Sequence, residues 1–280
     1  MDKESVIISI LADNRAADGF VREHGFALWI EADGMRLLFD TRQRDALIPN
    51  AEKMDVQLSL TDAVVLSHGH YDHTGGVAHV LSHARYPHLF CHPAALCGRY
   101  SVRDGNAKDI GMRESDRIAA ENLPTGRFCP SAEPFQLSKT VGITGQIPRN
   151  NSFENTGGPF YCDPDAASTD PIDDDLALWI KTAEGLVVCV GCAHAGIVNT
   201  LHHVVGLVGQ GHKIRAVIGG LHLTNASDER IAFTISALQS FAPELIVPCH
   251  CSGERAIAAM TEAFPSGVRT GHAGLRIVLK

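Results

Sequence analysis

Ser67-His68-Gly69-His70-Tyr71-Asp72-His73-Thr74-Gly75-Gly76 follows the apolar run Ala63-Val64-Val65-Leu66, and this stretch decides how the rest of the chain is read. The run reads as a short buried strand, and the threonine and glycines behind it as a turn opening a helix. Four metal-ligand side chains therefore leave one strand end. His68 and His70 stand two apart, so an extended backbone points both the same way, while Asp72 and His73 come where the chain turns and address a second point in space. Imidazole combined with carboxylate suits zinc, manganese or iron better than calcium or magnesium.

Working outward, strand and helix patterns alternate. Val6 to Leu11, Phe26 to Glu31 and Met35 to Phe39 read as strands, the last two joined by the turn Ala32-Asp33-Gly34. Ala46 to Met54 and the segment beginning Gly76-Val77 read as helices, and Pro87 to Cys91 as another strand. From about residue 93 to 172 proline and glycine recur and apolar periodicity weakens, so this stretch is expected to be a lid-like insertion in a single domain spanning 1–280. Order returns with strands at Leu176 to Lys181, Leu186 to Val190, Ile214 to Ile218, Glu244 to Val247 and Leu275 to Leu279, and with helices at Ile197 to Val208, Ile231 to Phe241 and Ser252 to Phe264. The class is layered α/β.

His194, His222 and His250 each sit just past a strand, 28 residues apart both times. Neighbouring strands of such folds deliver their ends to one edge, so these histidines are expected to join the opening motif in a single metal centre of His68, His70, Asp72, His73, His194, His222 and His250. Asp72 and His222 are the candidate catalytic groups. Asp40, ending a strand near the same rim, and Arg149 are weaker candidates for substrate contact, and Asp174 and Asp175 could orient a ligand imidazole. His24 and His272 could approach the pocket or be structural.

Composition narrows the function. The 280 residues are 45% hydrophobic with a net charge of -8, enough for a sizeable core and poorly suited to nucleic acid, which needs clustered lysine and arginine. Met1-Asp2-Lys3-Glu4-Ser5 is charged, and Val6 to Leu11 is too short for a signal core or membrane span, so a cytoplasmic protein with no membrane partner is expected. The eight cysteines then read as reduced thiols. Cys189 with Cys192, and Cys249 with Cys251, have spacings that a structural zinc could use, but Cys189 lies in an apolar run and reads as a small hydrophobe. A small-molecule substrate is the expected partner; the oligomeric state is left open.

The His-x-His-x-Asp-His pattern, taken with the histidines past the later strands, resembles the metallo-β-lactamase superfamily over nearly the whole chain. The resemblance implies a four-layer αββα sandwich with the metal site at the sheet edges, holding one or two divalent ions, zinc first and manganese or iron as alternatives. It implies that His68, His70 and His194 hold one metal and Asp72, His73 and His250 the other. The superfamily usually places a bridging aspartate after the strand that here ends in Gly220-Leu221-His222, where His222 stands instead. Asp13-Asn14, Glu23-His24-Gly25, Phe39-Asp40-Thr41, Gly145 to Arg149, Phe153-Glu154, Gly191 to Asn199, Gly219 to Leu223 and Pro248 to Cys251 resemble a narrower branch. It contains the dihydropterin-ribofuranosylaminobenzene 5'-phosphate synthases and related metal-dependent hydrolases, and Arg42 stands where this branch leads one to expect glycine.

Two chemistries follow from such a centre. A hydrolase would use a metal-bound hydroxide against a phosphate- or ester-containing small molecule. A transferase would condense a dihydropterin diphosphate with ribofuranosylaminobenzene 5'-phosphate, as in methanopterin-type biosynthesis, with the insertion excluding water. A noncatalytic protein could instead use the metal site to hold a ligand. An iron-based redox centre would normally need a flavin domain for which 280 residues leave no room.

Overall fold

Alternating side chains in the first forty residues give a sheet that is buried on both faces. In the computed structural model, which describes residues 5–280, β1 (Val6–Ala12), β2 (Ala27–Ala32) and β3 (Met35–Phe39) form an antiparallel meander. Phe26, Leu28 and Ile30 face one layer of core while Ala27 and Trp29 face another, the period-two pattern of a strand packed on both sides. The charged start Met1 to Glu4 lies outside the described residues. β4 (Ala63–Val65) and β5 (His88–Cys91) extend the sheet in parallel from β3.

The stretch expected as an insertion has several parts. β6 (Tyr100–Arg103) and β7 (Asn106–Asp109) form a separate hairpin, β8 (Phe128–Pro130) joins the first sheet beside β5, and β9 (Phe135–Gln136) and β10 (Val141–Ile143) open the second sheet. β11 (Phe160–Tyr161) then pairs with β6 to make a small three-stranded sheet. Only this small sheet and the loops around it stand apart from the two main sheets. β12 (Ala177–Thr182) and β13 (Gly185–Val190) form a hairpin, and β14 (Ile214–Gly220) and β15 (Leu245–Cys249) follow in parallel. β16 (Arg276–Leu279) returns to pair with β1.

Helices cover both outer faces. α1 (Leu47–Lys53), α2 (Tyr71–Thr74), α3 (Val77–His83) and α4 (Glu114–Glu121) belong to the first half, with Leu47, Ala51, Val77, Val80 and Ala120 packed on the outer side of the first sheet. α5 (Ile197–Val208), α6 (Asp228–Phe241) and α7 (Glu254–Ala263) cover the second sheet through Leu201, Val204, Leu238 and Met260. The third core lies between the sheets, where Leu28, Ile30, Leu37 and Phe39 meet Leu178, Ile180, Val187 and Ile218. These are the four αββα layers the resemblance implies. No helix among the described residues is long and apolar enough to cross a membrane.

Sheet-on-sheet packing leaves little slack at the centre, so cavities there are costly. Leu178, fully buried between the sheets, is expected to cost about 2–5 kcal/mol when replaced by alanine. Urea denaturation should show the loss as a lower midpoint at unchanged slope, whereas Val21→Ala, at a side chain left 41% exposed, should stay within about 0.5 kcal/mol of the parent.

Candidate metal centre

The parallel strands β4, β13, β14 and β15 end at one rim, and each end delivers a histidine there. Past β4 the chain carries His68 and His70 over the edge and turns into α2, which holds Asp72 and His73. Gly69 permits the crossing, since a Cβ there would come 2.3 Å from the Ala95 carbonyl oxygen. His194, His222 and His250 follow β13, β14 and β15. His222 and His250 both have φ of 48°, and Ala193 has φ of 52°, left-handed values that turn the backbone sharply off the strand.

All seven predicted ligand residues meet at this rim. His68, His70 and His194 form one set, with ring centroids 4.5, 4.8 and 4.9 Å apart. Asp72, His73 and His250 form another, with Asp72 Oδ2 3.3 Å from His250 Nε2 and 3.9 Å from His73 Nε2. His222 does not stand between the sets. Its ring lies 4.2 Å from that of His194, and it groups with the sulfurs of Cys192 and Cys251.

Four of the imidazoles are aimed by a bond from Nδ1 to a group outside the cluster, while His70 Nδ1 lies 2.9 Å from His68 Nε2 within it. His73 donates from Nδ1 to Asp40 Oδ2 at 2.6 Å, His194 to the Thr156 carbonyl at 2.8 Å, His250 to Asn14 Oδ1 at 3.0 Å and His68 to Ser67 Oγ at 2.9 Å. Among the described residues, His70 Nε2, His194 Nε2 and His222 Nδ1 are buried without a hydrogen-bond partner. Orphaned buried lone pairs of this kind cost free energy unless something binds them.

The protonation states fit a metal. Burial pushes His68, His70 and His194 well below the usual histidine value, so they are neutral donors. Burial alone would raise Asp72, but His73 and hydrogen bonds from His24 and His250 hold its carboxyl well below the usual range. Burial opposes charge on His73 as well, yet Asp40 and Asp72 beside it hold it up at about 9. Three neutral imidazoles and an ionised carboxylate make a donor set for a divalent transition metal, and His73 must give up its proton to join it.

The other sequence candidates are placed differently. Asp40 is fully buried and its carboxylate is used within the protein, accepting from Ser67 N, Ser67 Oγ and His73 rather than facing the cavity. Arg149 donates to the His194 and Pro171 carbonyls at 2.6 and 2.7 Å. Asp174 accepts from Gly69 N and Arg99, and Asp175 from Ala195 N, so both hold loop backbone and not an imidazole. His24 does reach the site, 3.0 Å from Asp72 Oδ2, while His272 bonds the Ala273 carbonyl. The residues missed were Cys192, Cys251, Asn14 and Ser67. Cys192 and Cys251 lie within two residues of His194 and His250, which was a usable signal; the backbone acceptor Thr156 carried none.

Because Asp40 fixes both the tautomer and the direction of His73, Asp40→Asn is expected to weaken metal binding about 10–100-fold, measured by competition with a chromogenic chelator. Asp175 supplies a pH test in metal-stripped protein. Burial raises its carboxyl from 3.8 to about 7, so the native state holds a proton that the unfolded chain has already lost. Stability therefore falls as pH rises from about 4 to 7 and stays lowered above that. Asp175→Asn should raise stability at pH 8 by roughly 3 kcal/mol, with the gain shrinking as the pH is lowered to 5; a pH-independent effect would show that the carboxyl is not held protonated.

A sequence profile described as the metallo-beta-lactamase superfamily matches residues 21–203, more than half of the chain. The chain is 29% identical over 284 aligned positions to the 7,8-dihydropterin-6-methyl-4-(beta-D-ribofuranosyl)-aminobenzene-5'-phosphate synthase of Methanocaldococcus jannaschii, covering 97% of this chain and 96% of that one. It is also 29% identical to Tm1679, described as a metal-dependent hydrolase of the beta-lactamase superfamily, with a TM-score of 0.82 and coverage of 97% and 98%. Igni18, a metallo hydrolase from Ignicoccus hospitalis, shares the fold at a TM-score of 0.55 and 14% identity, covering 99% of each chain. With the profile spanning most of the residues that build this rim, the chain belongs to the metallo-β-lactamase superfamily.

Proposed function

We propose that the chain is a two-metal hydrolase acting on a small molecule that carries a phosphate or ester group. The observation that carries this reading is an open cavity of about 540 Å³ whose floor is His70, Asp72, His194, His222 and His250 and whose mouth is Arg103, Asp104, Asn106 and Lys108, all exposed. Divalent metal held by His68, His70 and His194 on one side and by Asp72, His73 and His250 on the other would supply Lewis acidity and acidify a water molecule.

The chain's own groups do the rest. Arg103 and Lys108 bring positive charge to the mouth of an otherwise acidic protein and draw an anionic substrate inward. Lys108 is steadied by donating to Tyr71 Oη at 2.8 Å. His24, more than half exposed and 3.0 Å from Asp72, can carry a proton between the floor and solvent, and His222 is placed to protonate a leaving group. Eight free cysteines support a cytoplasmic location.

A second reading, condensation of a dihydropterin diphosphate with ribofuranosylaminobenzene 5'-phosphate, is favoured by the Methanocaldococcus relative's name and by a further cavity. This space, about 530 Å³, lies across His222 and is lined by Asn155, Thr156, Ser227 and Arg230; two subsites flanking one residue suit two substrates. Incubating the zinc-loaded protein with the dihydropterin diphosphate, with and without the arylamine phosphate, separates the two. The hydrolase reading expects diphosphate or phosphate release without the arylamine, or turnover of a panel of phosphodiesters and esters, abolished by chelator. Release only with the arylamine establishes the synthase, and turnover of nothing in either series leaves a metal-site binding protein.

A further inference from the structure

The ligand sets described above leave two sulfurs without a role. Cys192 follows β13 and Cys251 follows β15, and their Sγ atoms lie 3.3 Å apart. Their partners in the two cysteine spacings, Cys189 and Cys249, are buried between the sheets instead, so the four thiols do not converge on a zinc of their own. Cys192 Sγ also lies 3.2 Å from His73 Nε2.

Among the described residues, Cys192 is the one that groups with both halves of the centre. Its sulfur and donor atoms of His68 and His194 all lie within 4.8 Å of one another, and the same holds for its sulfur with His73 and His250. Asp72 groups with His24 and His250 and does not reach the first set. An imidazole nitrogen has one lone pair and cannot bridge two metals, whereas a carboxylate or a thiolate can. At the end of β14 Gly220 cannot carry a carboxylate, because a Cβ there would come 2.5 Å from the Gly191 carbonyl oxygen and 2.7 Å from Cys251 Sγ, and the side chain two residues on is the imidazole of His222.

We infer that Cys192 is the ligand shared between the two metal positions, its thiolate replacing a bridging carboxylate. On metal binding the S–H bond breaks, sulfur bonds to both metals, and the proton leaves to solvent. Cys251, beside Cys192 and within reach of His222, hydrogen-bonds the shared sulfur and tunes it. A thiolate at the centre selects zinc, cobalt or iron over manganese or magnesium. The inference rests on the two-metal reading proposed above.

Cobalt(II) titration of the full-length, chelator-stripped protein under reducing conditions tests it without any assay of activity. The wild type is expected to take up two equivalents and to develop the near-ultraviolet sulfur-to-cobalt charge-transfer band. Cys192→Ser should lose the band and bind the second equivalent at least tenfold more weakly, Cys192→Asp should bind two equivalents without the band, and Cys251→Ser should keep both the band and the stoichiometry. Should Cys192→Ser fail to fold by circular dichroism, the other two variants decide. Two equivalents bound by the wild type without the band, a band that survives in Cys192→Asp, or a band complete at one equivalent and unchanged by the second overturns the shared thiolate. No cobalt uptake by the wild type, equal to that of His68→Ala, would instead bring down the two-metal reading itself.

Discussion

The buried carboxylate of Asp40 joins the fold to the site. It sits past the end of β3 with no exposure and accepts from three donors, Ser67 N at 2.7 Å, Ser67 Oγ at 2.7 Å and His73 Nδ1 at 2.6 Å. An ionised carboxylate taken out of water costs several kcal/mol unless its oxygens are satisfied. Here the donors come from the end of β4 and from α2, so the charge is tolerable only when the turn from Ser67 to His73 is in its native place. The same carboxylate that strains the folded state therefore specifies the geometry of His73. Gly191 completes the contact from the second sheet, since a Cβ there would fall 1.9 Å from Ser67 Oγ and 2.8 Å from Asp40 Oδ2.

Local backbone conformation shows the same trade. Asp40, Ala193, His222 and His250 have φ between 48 and 59°, and each lies within three residues of a strand end at the rim. Left-handed conformations cost non-glycine residues about 1–2 kcal/mol each. Arg42, where the branch resemblance led one to expect glycine, has φ of 81°, so the backbone there keeps the glycine-like conformation although the side chain has changed. Strain of this kind persists because the layers on either side hold the strand ends, and it gathers where side chains must be turned toward one another.

Much of this was legible in the sequence because it is periodic or local. Alternation in Phe26 to Phe39, the unbroken apolar run at Leu186 to Val190 and the run at Ile214 to Ile218, interrupted only by Arg215, mark strands buried on both faces, and three histidines placed past strands foretell a shared rim. What could not be read was contact between elements distant in the chain. Nothing near Asp40 announces that it faces His73, and nothing near Asn14 announces His250, 236 residues away. The reading of residues 93–172 as one insertion failed to separate two kinds of segment. β8 and β9 are too short, at three and two residues, to show a period, yet they extend the main sheets, as does β10, whose Val141-Gly142-Ile143 reads as a short strand by itself. Pairing with neighbours supplies the order their own sequence lacks.

The loop that bears β11 is more than a cover, because it is wired into the ligands beneath. Glu154 accepts from Val198 N and Asn199 N, placing a carboxylate at the N-terminus of α5, where the helix dipole favours negative charge. Two residues on, the Thr156 carbonyl holds His194 Nδ1, and Asn155 is tied by Arg230 of α6 at 2.7 Å. Arg149 reaches from the start of the same loop to the carbonyls of His194 and Pro171, and Arg99 binds Asp174, whose other oxygen accepts from Gly69 N. Three of these contacts end on the rim itself, at His194 Nδ1, at the His194 carbonyl and at Gly69 N between His68 and His70. Phe160 of β11 lines the cavity above the rim, its ring 5.5 Å from that of His194 and 6.2 Å from that of His222. The loop that walls the cavity is therefore the loop that aims His194 through Thr156.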